Sequence, residues 1–284
     1  MTGSQERIGL LAGTSDLPLE VAKAIEDSGK QLFIAAFEGA ADPSIETPGR
    51  DVRWFRVGHL EALLEGLRRS GSTSIVLAGK LPHDSLFFND DFDSRLLALL
   101  HSLPDRRGST ILAGFVDLLT AEGLPVRELT HIVPGLVAVE GHIAGPPPTP
   151  EQMRDARFGW KIAKRIAEMD VGQTVIIKDL AVVAVEAMEG TDEAIERAGR
   201  ITGGGNVVVK VSSPDHDFRF DVPTVGPHTA SSLARAGGGV IAVESGRCFL
   251  LGLRELNALC RDRSISLVSL SDEDVLDKGV SDHS

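Results

Sequence analysis

Short apolar runs alternate with amphipathic segments through the first half of the chain. Runs typical of buried strands cover residues 8–12, 31–37 and 74–78. Apolar residues at helical spacing cover residues 18–28, 59–69, 94–103 and 110–122. Strands that alternate with helices are typical of a parallel sheet built from βαβ units. The pattern therefore predicts a Rossmann-like parallel α/β domain over residues 1–144.

A proline-rich segment separates this half from the second. Residues 145–150 read Gly-Pro-Pro-Pro-Thr-Pro, and consecutive prolines stiffen the chain and donate no backbone hydrogen bonds. We therefore predict a linker at 145–150, followed by a second domain over residues 151–270. Thr149 is predicted to cap the helix that begins after it. The acidic residues 271–284 are predicted to form a flexible tail.

Strand-like runs joined by glycine-rich turns dominate the second half. They cover residues 174–178, 181–187, 207–211 and 240–243. Helical patterns lie near residues 193–198 and 228–236, and they predict a compact α+β domain. The helix after Thr149 carries an apolar stripe of Phe158, Ile162, Ile166 and Met169. Such a stripe is typical of a helix face in the core, and the alternative is the wall of an apolar groove.

Composition restricts the class of partner. The 284 residues carry a formal net charge of -12, whereas nucleic acids and anionic membranes select for basic patches. No apolar run approaches the ~20 residues of a bilayer span, and the start shows no signal-peptide pattern, so we expect a cytoplasmic protein. Cys248 and Cys260 lack metal-binding or CxxC spacing and are interpreted as reduced thiols.

The loop after the first predicted strand lies where open parallel sheets bind ligands. Its sequence, GLLAGTSDLP over residues 9–18, matches neither GxGxxG nor the P-loop. An aspartate at a helix start disfavours phosphate, so contact with a base or ribose is the better interpretation. The strand at 74–78 is expected to end on the same edge of the sheet as the first strand. Together these ends give the candidate substrate-binding residues Gly13, Thr14, Ser15, Asp16, Gly79 and Lys80.

Each of these candidates has a simpler alternative. Ser15 or Asp16 could serve only as a helix cap, and Lys80 could be a solvated loop residue. In the second half, Glu186 interrupts an otherwise apolar run over residues 181–188, and a buried carboxylate is costly unless it is paired or binds a cation. Glu186 is therefore a candidate metal ligand. Asp192 is a weaker candidate, because acidic residues in a first helical turn are favoured by the helix dipole alone.

Charged and apolar residues alternate over residues 217–222. The charged ones are Asp217, Arg219 and Asp221, and the apolar ones are Phe218, Phe220 and Val222. This period predicts a strand, and its charged face could simply be self-paired on the surface. On a straight strand Asp217 and Asp221 would lie ~13 Å apart, too far to share a Mg²⁺ ion that binds oxygens at ~2.1 Å. We therefore predict that Asp221 binds metal or water, that Asp217 is structural, and that Arg219 and Lys210 neutralise substrate oxygens.

Six segments of the chain occur in an order and spacing typical of one family. They are GLLAGTSDLP, LAGKL, VAVEAMEGTDE, VVVK, DFRFDVPTVGP and GVIAVESGR. On these segments the chain resembles the UDP-2,3-diacylglucosamine pyrophosphatases of lipid A biosynthesis, the type unrelated to calcineurin-like metallophosphatases. The resemblance extends from residue 7 to residue 270, and EGTD and RFDVPxxGP are its most specific elements.

The resemblance implies a two-domain, Mg²⁺-dependent enzyme of the Gram-negative cytoplasm. Such an enzyme hydrolyses UDP-2,3-diacylglucosamine to UMP and 2,3-diacylglucosamine 1-phosphate (lipid X), with water attacking the sugar-side phosphorus. The resemblance implies that Asp221, in the RFD motif, is catalytic, and that the substrate-contacting segment includes Glu189, Thr191 and Asp192. The implied partner is a lipid-linked nucleotide sugar, with at most peripheral contact with the inner membrane and with a homodimer as one option.

The chain departs from the family pattern in two places. The loop at Thr14, Ser15 and Asp16 stands where the family is richer in glycine, which weakens the expectation of close backbone approach to a ligand. Ser213-Pro214 and His216-Asp217 replace Lys-Pro and Gln-Asp pairs, so one expected cation is missing. His216 either replaces the glutamine as a hydrogen-bonding group or is an exposed turn residue.

Two other functions compete with the hydrolase. One is a non-catalytic, regulatory protein that binds a UDP-sugar through its first domain alone. The other is a nicotinamide-dependent oxidoreductase, which is weakened by the missing GxGxxG motif and by the absence of tyrosine from the sequence.

Overall fold

The computed structural model describes residues 6–80, 91–213, 217–220 and 222–276, which divide into two compact units. The first unit extends to Pro134 and includes the short segment 218–220, and the second contains the remaining described residues. Each unit has its own sheet and its own apolar core.

The first unit is a parallel α/β fold. Its elements are β1 (Arg7–Ala12), α1 (Leu17–Asp27), β2 (Gln31–Phe37), β3 (Asp51–Phe55), α2 (Leu60–Ser70), β4 (Ser74–Ala78), α3 (Ser94–Ser102), α4 (Gly108–Ala121) and α5 (Leu129–Ile132). The strand order is β3-β2-β1-β4 and every pair is parallel. This is the order of a Rossmann-like half, so the predicted parallel domain is confirmed. The apolar runs of β1 and β4 are buried along all or nearly all of their length, as is typical of parallel sheets.

The second unit contains a six-stranded mixed sheet. Its elements are β5 (Gly141–Ala144), α6 (Pro150–Glu168), β6 (Thr174–Lys178), β7 (Ala181–Val185), α7 (Thr191–Thr202), β8 (Asn206–Lys210), β9 (Thr224–Val225), α8 (Pro227–Arg235), β10 (Gly239–Glu244), β11 (Phe249–Leu250), α9 (Leu253–Asp262), β12 (Ser266–Leu270) and α10 (Asp272–Leu276). The strand order is β5-β12-β10-β8-β6-β7. Strands β7, β8, β10 and β12 run in one direction, whereas β5 and β6 run in the opposite one. The predicted second α+β unit is thus confirmed.

Helices cover both faces of this mixed sheet. One core cluster contains buried residues of α7, α8 and α9, and the other contains the buried face of α6 and Val275 of α10. Thr149 caps α6 as predicted, because its Oγ1 accepts a hydrogen bond from the Gln152 N–H while the Gln152 side chain accepts one from the Thr149 N–H. Among the described residues no helix is long and apolar enough to cross a membrane.

The division between the units lies ahead of the predicted proline linker. Residues 141–144 form β5, which pairs antiparallel with β12 and therefore belongs to the second sheet. At the other end, residues 272–276 of the predicted tail form α10, where Val275 is buried and Asp272 accepts a hydrogen bond from Trp160. Both differences come from long-range contacts that local composition does not reveal.

The apolar stripe predicted on α6 is only half buried, because Ile162 and Ile166 pack against the core whereas its two ends do not. Phe158 and Met169 are 37% and 70% exposed. The face against the sheet consists instead of Trp160 and small residues, and a Cβ at Gly159 would lie 2.6 Å from Ile177. Helix α6 therefore packs too closely on the sheet for a large side chain at position 159.

The strand predicted over residues 217–222 is wrong. Strand β8 ends at Lys210, and residues 218–220 form a turn. Phe220 packs against the core of the first unit, and the Phe218 carbonyl accepts a hydrogen bond from the Leu129 N–H. Tertiary contacts of the two phenylalanines replace the ladder of a strand, so the straight-strand separation of Asp217 and Asp221 does not apply.

Candidate functional site

Buried polar residues collect at one edge of the second sheet. Because β7, β8 and β10 run in one direction, Glu186, Lys210 and Glu244 come to the same edge, and Thr174 of the antiparallel β6 pairs with Lys210. Polar residues here that are less than a tenth exposed include Thr174, Glu186, Lys210, Ser212 and Glu244. Buried charges are unfavourable unless they are paired or bind a ligand. This carboxyl edge is therefore the candidate site.

A hydroxyl links two of the buried charges on the α7 side of the sheet. The Lys210 ammonium donates to Thr191 Oγ1 at 2.7 Å, and the Thr191 hydroxyl donates to Glu186 Oε1 at 2.7 Å. The other Glu186 oxygen accepts a bond from the Gln173 N–H at 3.3 Å. Thr191 reaches both partners because it is the first residue of α7, whose amino terminus lies at this edge. We call this arrangement the Lys210–Thr191–Glu186 chain.

A second network lies at the same edge on the α6 side of the sheet. Glu244 Oε2 accepts bonds from the Ser212 N–H at 2.7 Å and from the Ser212 hydroxyl at 3.0 Å. Glu244 Oε1 pairs with Lys164 of α6 and lies 3.4 Å from Arg247 Nε. A cleft of about 420 Å³ adjoins this network, and its lining consists of Lys164, Arg165, Glu168, Glu244, Arg247 and Asp272.

Cys248 lies in the apolar core of this unit. Burial raises the pKa of its thiol to about 12, and the negative charge of Glu244 acts in the same direction while the Lys210 cation opposes it. A thiol of this kind stays protonated and unreactive near neutral pH, which agrees with the interpretation of Cys248 as a reduced thiol.

The structure brings together some of the predicted residues of the second unit. Glu186, Thr191 and Lys210 are joined by hydrogen bonds. Glu189 instead accepts bonds from Arg197 at 2.9 Å and from the Ala187 N–H at 3.1 Å.

Two other predicted residues, Asp192 and Arg219, lie within the described part of the chain. Asp192 is exposed in the first turn of α7. Arg219 is partly buried in the turn at 218–220, within the first unit. Asp221 and His216 lie outside the described residues, so their predicted roles stay predictions.

The candidate loops of the first unit lie together, as predicted. Thr14 and Lys80 exchange backbone hydrogen bonds of 2.7 and 3.2 Å, and the Thr14 hydroxyl donates to the Lys80 carbonyl at 2.9 Å. A Cβ at Gly13 would lie 2.5 Å from the Lys80 oxygen, and one at Gly79, where φ is +83°, would lie 2.3 Å from the Thr14 oxygen. Close approach of the two loops to each other therefore explains both glycines.

The next two residues of the first loop are exposed. Ser15 has a positive φ of 95°, and its hydroxyl accepts a bond from the Leu17 N–H at 3.3 Å. Asp16 occupies the N-cap position of α1 but makes no capping hydrogen bond through its side chain. Of the two residues considered as a cap, Ser15 rather than Asp16 therefore binds the amino end of α1 through its side chain.

The described residues do not by themselves form a complete set of metal ligands. Within residues 6–80, 91–213, 217–220 and 222–276, no three His, Cys, Asp or Glu side chains are grouped closely enough to hold a metal ion. Both Glu186 oxygens accept hydrogen bonds from protein donors. A role for Glu186 as a metal ligand requires one of these bonds to be exchanged, and it stays a prediction.

Sequence reasoning missed the second network entirely. Lys164 and Ser212 lack a sequence signal, since each is typical of an ordinary surface or loop position, whereas Arg247 ends the family segment GVIAVESGR without having been given a role. Glu244 had one, because it ends the apolar run at 240–243 just as Glu186 ends the run at 181–185. The burial argument applied to Glu186 would have identified Glu244 as well.

Two solved structures resemble the chain weakly. CobK precorrin-6A reductase is 12% identical with a TM-score of 0.32, and it covers 94% of this chain and 88% of its own. Leucoanthocyanidin reductase from Vitis vinifera, in a binary complex with NADPH, is 12% identical with a TM-score of 0.29, and it covers 96% of this chain and 80% of its own.

Family models match both units of the chain. The LpxI N-terminal domain matches residues 7–136, and the LpxI C-terminal domain matches residues 139–268. A relative from Caulobacter vibrioides named UDP-2,3-diacylglucosamine pyrophosphatase LpxI is 27% identical over 279 residues, which cover 94% of this chain and 99% of the relative. Because the two models together match nearly the whole length, the chain belongs to the LpxI family.

Proposed function

We propose that this chain hydrolyses the pyrophosphate bond of UDP-2,3-diacylglucosamine, releasing UMP and 2,3-diacylglucosamine 1-phosphate, as a step of lipid A biosynthesis. The observation that carries the proposal is the match to both LpxI domain models, in a family whose Caulobacter relative bears the name of this activity. The buried charges at the carboxyl edge of the second sheet support it, because they are the kind of group that anhydride cleavage requires.

Lys210 and Arg219 neutralise the phosphate oxygens in this proposal. Pyrophosphate cleavage depends on positioning and on stabilising charge that spreads over the transferred group. The Lys210 ammonium is held by the Thr191 hydroxyl, which is in turn held by Glu186, so the cation is fixed before substrate binds. Such preorganisation avoids a reorganisation cost during the reaction. Arg219 is assigned the same task from the RFD motif that contains Asp221.

Magnesium is part of the proposal. Mg²⁺ is commonly held by one or two carboxylates together with water and substrate phosphates, so Asp221 alone or with Glu186 suits it without a larger protein cage. When bound, the ion would neutralise phosphate charge and lower the pKa of a bound water. Asp221 is assigned to hold the ion or the attacking water.

The nucleotide half of the substrate is assigned to the first unit. Thr14, Ser15 and Asp16 follow β1 at the carboxyl edge of a parallel sheet, and Lys80 follows the neighbouring β4. Open parallel sheets bind ligands at this edge. Asp16 favours a hydroxyl partner such as ribose over a phosphate.

Contact with the membrane and self-association belong to the same proposal. The substrate carries two acyl chains, so we assign the protein to the cytoplasm with transient contact at the inner membrane surface. Cell fractionation should find it mainly in the cytoplasmic fraction, with a part released from membranes by salt. Sedimentation equilibrium would separate a monomer from a homodimer.

The decisive experiment is turnover by the purified full chain. Substrate and Mg²⁺ should yield UMP, measured by chromatography, and excess chelator should stop the reaction. Asp221→Ala should abolish turnover, whereas Asp117→Ala, an exposed change on α4, should not affect it. Reaction in ¹⁸O-labelled water should label lipid X if the sugar-side phosphorus is attacked. UDP binding without UMP formation would instead support the regulatory alternative.

A further inference from the structure

We propose that Glu244, Lys164 and Arg247 form a positioning cluster that fixes the backbone directly after Lys210 for the reaction. None of the three is assigned to contact substrate. The inference rests on the proposed function, and it adds residues that lie on the opposite face of the sheet from the Lys210–Thr191–Glu186 chain.

The cluster acts on Ser212 and Ser213. Glu244 accepts bonds from both the N–H and the hydroxyl of Ser212. Lys164 donates to the Ser212 carbonyl at 3.3 Å, and Arg247 donates to the Ser213 carbonyl at 2.8 Å. Ser212 is fully buried, so these groups hold a segment that has little freedom to find other partners.

The held segment begins two residues after Lys210. Val211 between them is also fixed, because its N–H donates to the Gln173 carbonyl at 3.0 Å. Gln173 is the residue whose own N–H donates to Glu186. The two networks are thus joined through the backbone, and a displacement at Ser212 is transmitted to the position of the Lys210 ammonium. A misplacement of about 1 Å in a catalytic group can reduce a rate by about 100-fold.

The cluster holds this segment through charged groups in a fixed geometry. Two cations converge on one carboxylate that is 4% exposed. The planar guanidinium of Arg247 binds in a fixed geometry, with Nε toward Ser212 and Glu244 and Nη2 toward Ser213. A fixed fork of donors sets direction as well as distance, which is the requirement for positioning.

Arg247→Ala tests the inference by chemical rescue. Its side chain is 32% exposed in the cleft, so guanidinium ion at low millimolar concentration can enter the space that the variant leaves. We expect kcat to fall about tenfold or more while KM stays within about twofold, and guanidinium to restore kcat severalfold. Arg165→Ala is the matched control, because Arg165 lines the same cleft, is 80% exposed and pairs with Glu168 instead. It should show neither loss nor rescue.

Glu244→Gln gives a second measurement. It removes the charge but keeps the shape, and we expect the same loss of kcat at nearly constant KM. Asp155→Asn controls for lost stability, because Asp155 is another buried carboxylate of the second unit and binds the turn between β6 and β7 instead. Unchanged kcat in both Arg247→Ala and Glu244→Gln, with wild-type turnover intact, would overturn the positioning role alone. Equal losses in Asp155→Asn would also overturn it, whereas an inactive wild type would overturn the proposed function.

Discussion

Removing the hydroxyl of Thr191 should destabilise the second unit and impair the reaction. Valine has nearly the shape of threonine, so Thr191→Val deletes two bonds of 2.7 Å, from Lys210 and to Glu186, while it keeps the volume. Hydrogen bonds to charged groups contribute ~1.5–3 kcal/mol each, so the upper limit of the loss is ~6 kcal/mol. Thr191 itself is only partly buried, and entering water replaces part of both bonds. We therefore expect a loss of ~3 kcal/mol in the free energy of unfolding.

Tryptophan fluorescence separates this unit from the first. The chain contains two tryptophans, Trp54 in the first unit and Trp160 in the second, so a Trp54→Phe background leaves Trp160 as the reporter. With an m-value of about 2 kcal/mol/M, the urea midpoint should fall by about 1.5 M. Thr191→Ser keeps the hydroxyl and should lose only ~1 kcal/mol, from its missing methyl group.

Activity gives the second readout for this pair of variants. Thr191→Val should lower kcat more than Thr191→Ser does, because only the serine variant still orients the Lys210 ammonium. If the two variants unfold within ~0.5 kcal/mol of each other, the hydroxyl contributes less than a hydrogen bond to a charged group should, and the reasoning about the chain fails.

Three further substitutions and two measurements on the cysteines test the structure of the second unit. Asp155→Ala removes the carboxylate that accepts N–H bonds of 2.9 and 2.8 Å from the β6–β7 turn, and it should lower the unfolding free energy in urea by ~3 kcal/mol. Gly239→Ala should prevent folding in circular dichroism, because its Cβ would lie 1.8 Å from a backbone oxygen, whereas Gly203→Ala, with nothing within 4 Å, should cost only ~1–2 kcal/mol for its positive φ. Burial raises the pKa of Cys248 to about 12 and of Cys260 to about 11, so neither thiol should react with iodoacetamide at pH 8.5 until the chain unfolds. Because these pKa values are raised above their usual 9.0, the stability they contribute is present below pH 9 and is lost as the pH rises towards 12, which urea midpoints at pH 8 and pH 10.5 would reveal.

Local patterns predicted the elements whose burial is uniform. Strand β4, Ser74–Ala78, is apolar and buried throughout, so its run in the sequence and its bounds in the structure coincide. Thr149 is likewise a local signal, because its capping box needs only the three residues that follow it. Features of this kind depend only on residues adjacent in the sequence, so they can be predicted from the sequence alone.

Long-range contacts decided the predictions that were wrong. The alternation around Phe218 and Phe220 is a good strand pattern, yet Phe220 packs in the core of the first unit and the segment turns. On α6 the larger apolar residues indicate one face, of which Ile162 and Ile166 do pack against the core, but the face that contains Gly159 lies closest to the sheet. In both cases the deciding partner is distant in the sequence, and its distance cannot be read from periodicity.

Strand direction explains why only part of the site could be predicted from the sequence. The segments TVIIK and NVVVK, which are β6 and β8, follow the same pattern of an apolar run that ends in lysine. Strand β8 runs with β10, so Lys210 reaches the carboxyl edge beside Thr191. Strand β6 runs against β8, and Lys178 therefore reaches the opposite edge, where its ammonium binds the Gly204 carbonyl after the end of α7.

Lys178 and Lys210 thus have different roles because their strands run in opposite directions, which the local sequence pattern does not reveal. A cation at a helix carboxyl end compensates the helix dipole and unpaired carbonyls, which accounts for Lys178 without a ligand. Lys210 binds a hydroxyl at a helix amino end, where the dipole disfavours a cation and a nearby anion is needed to hold it. Glu186 supplies one such charge through Thr191, and the phosphate of a substrate would supply another.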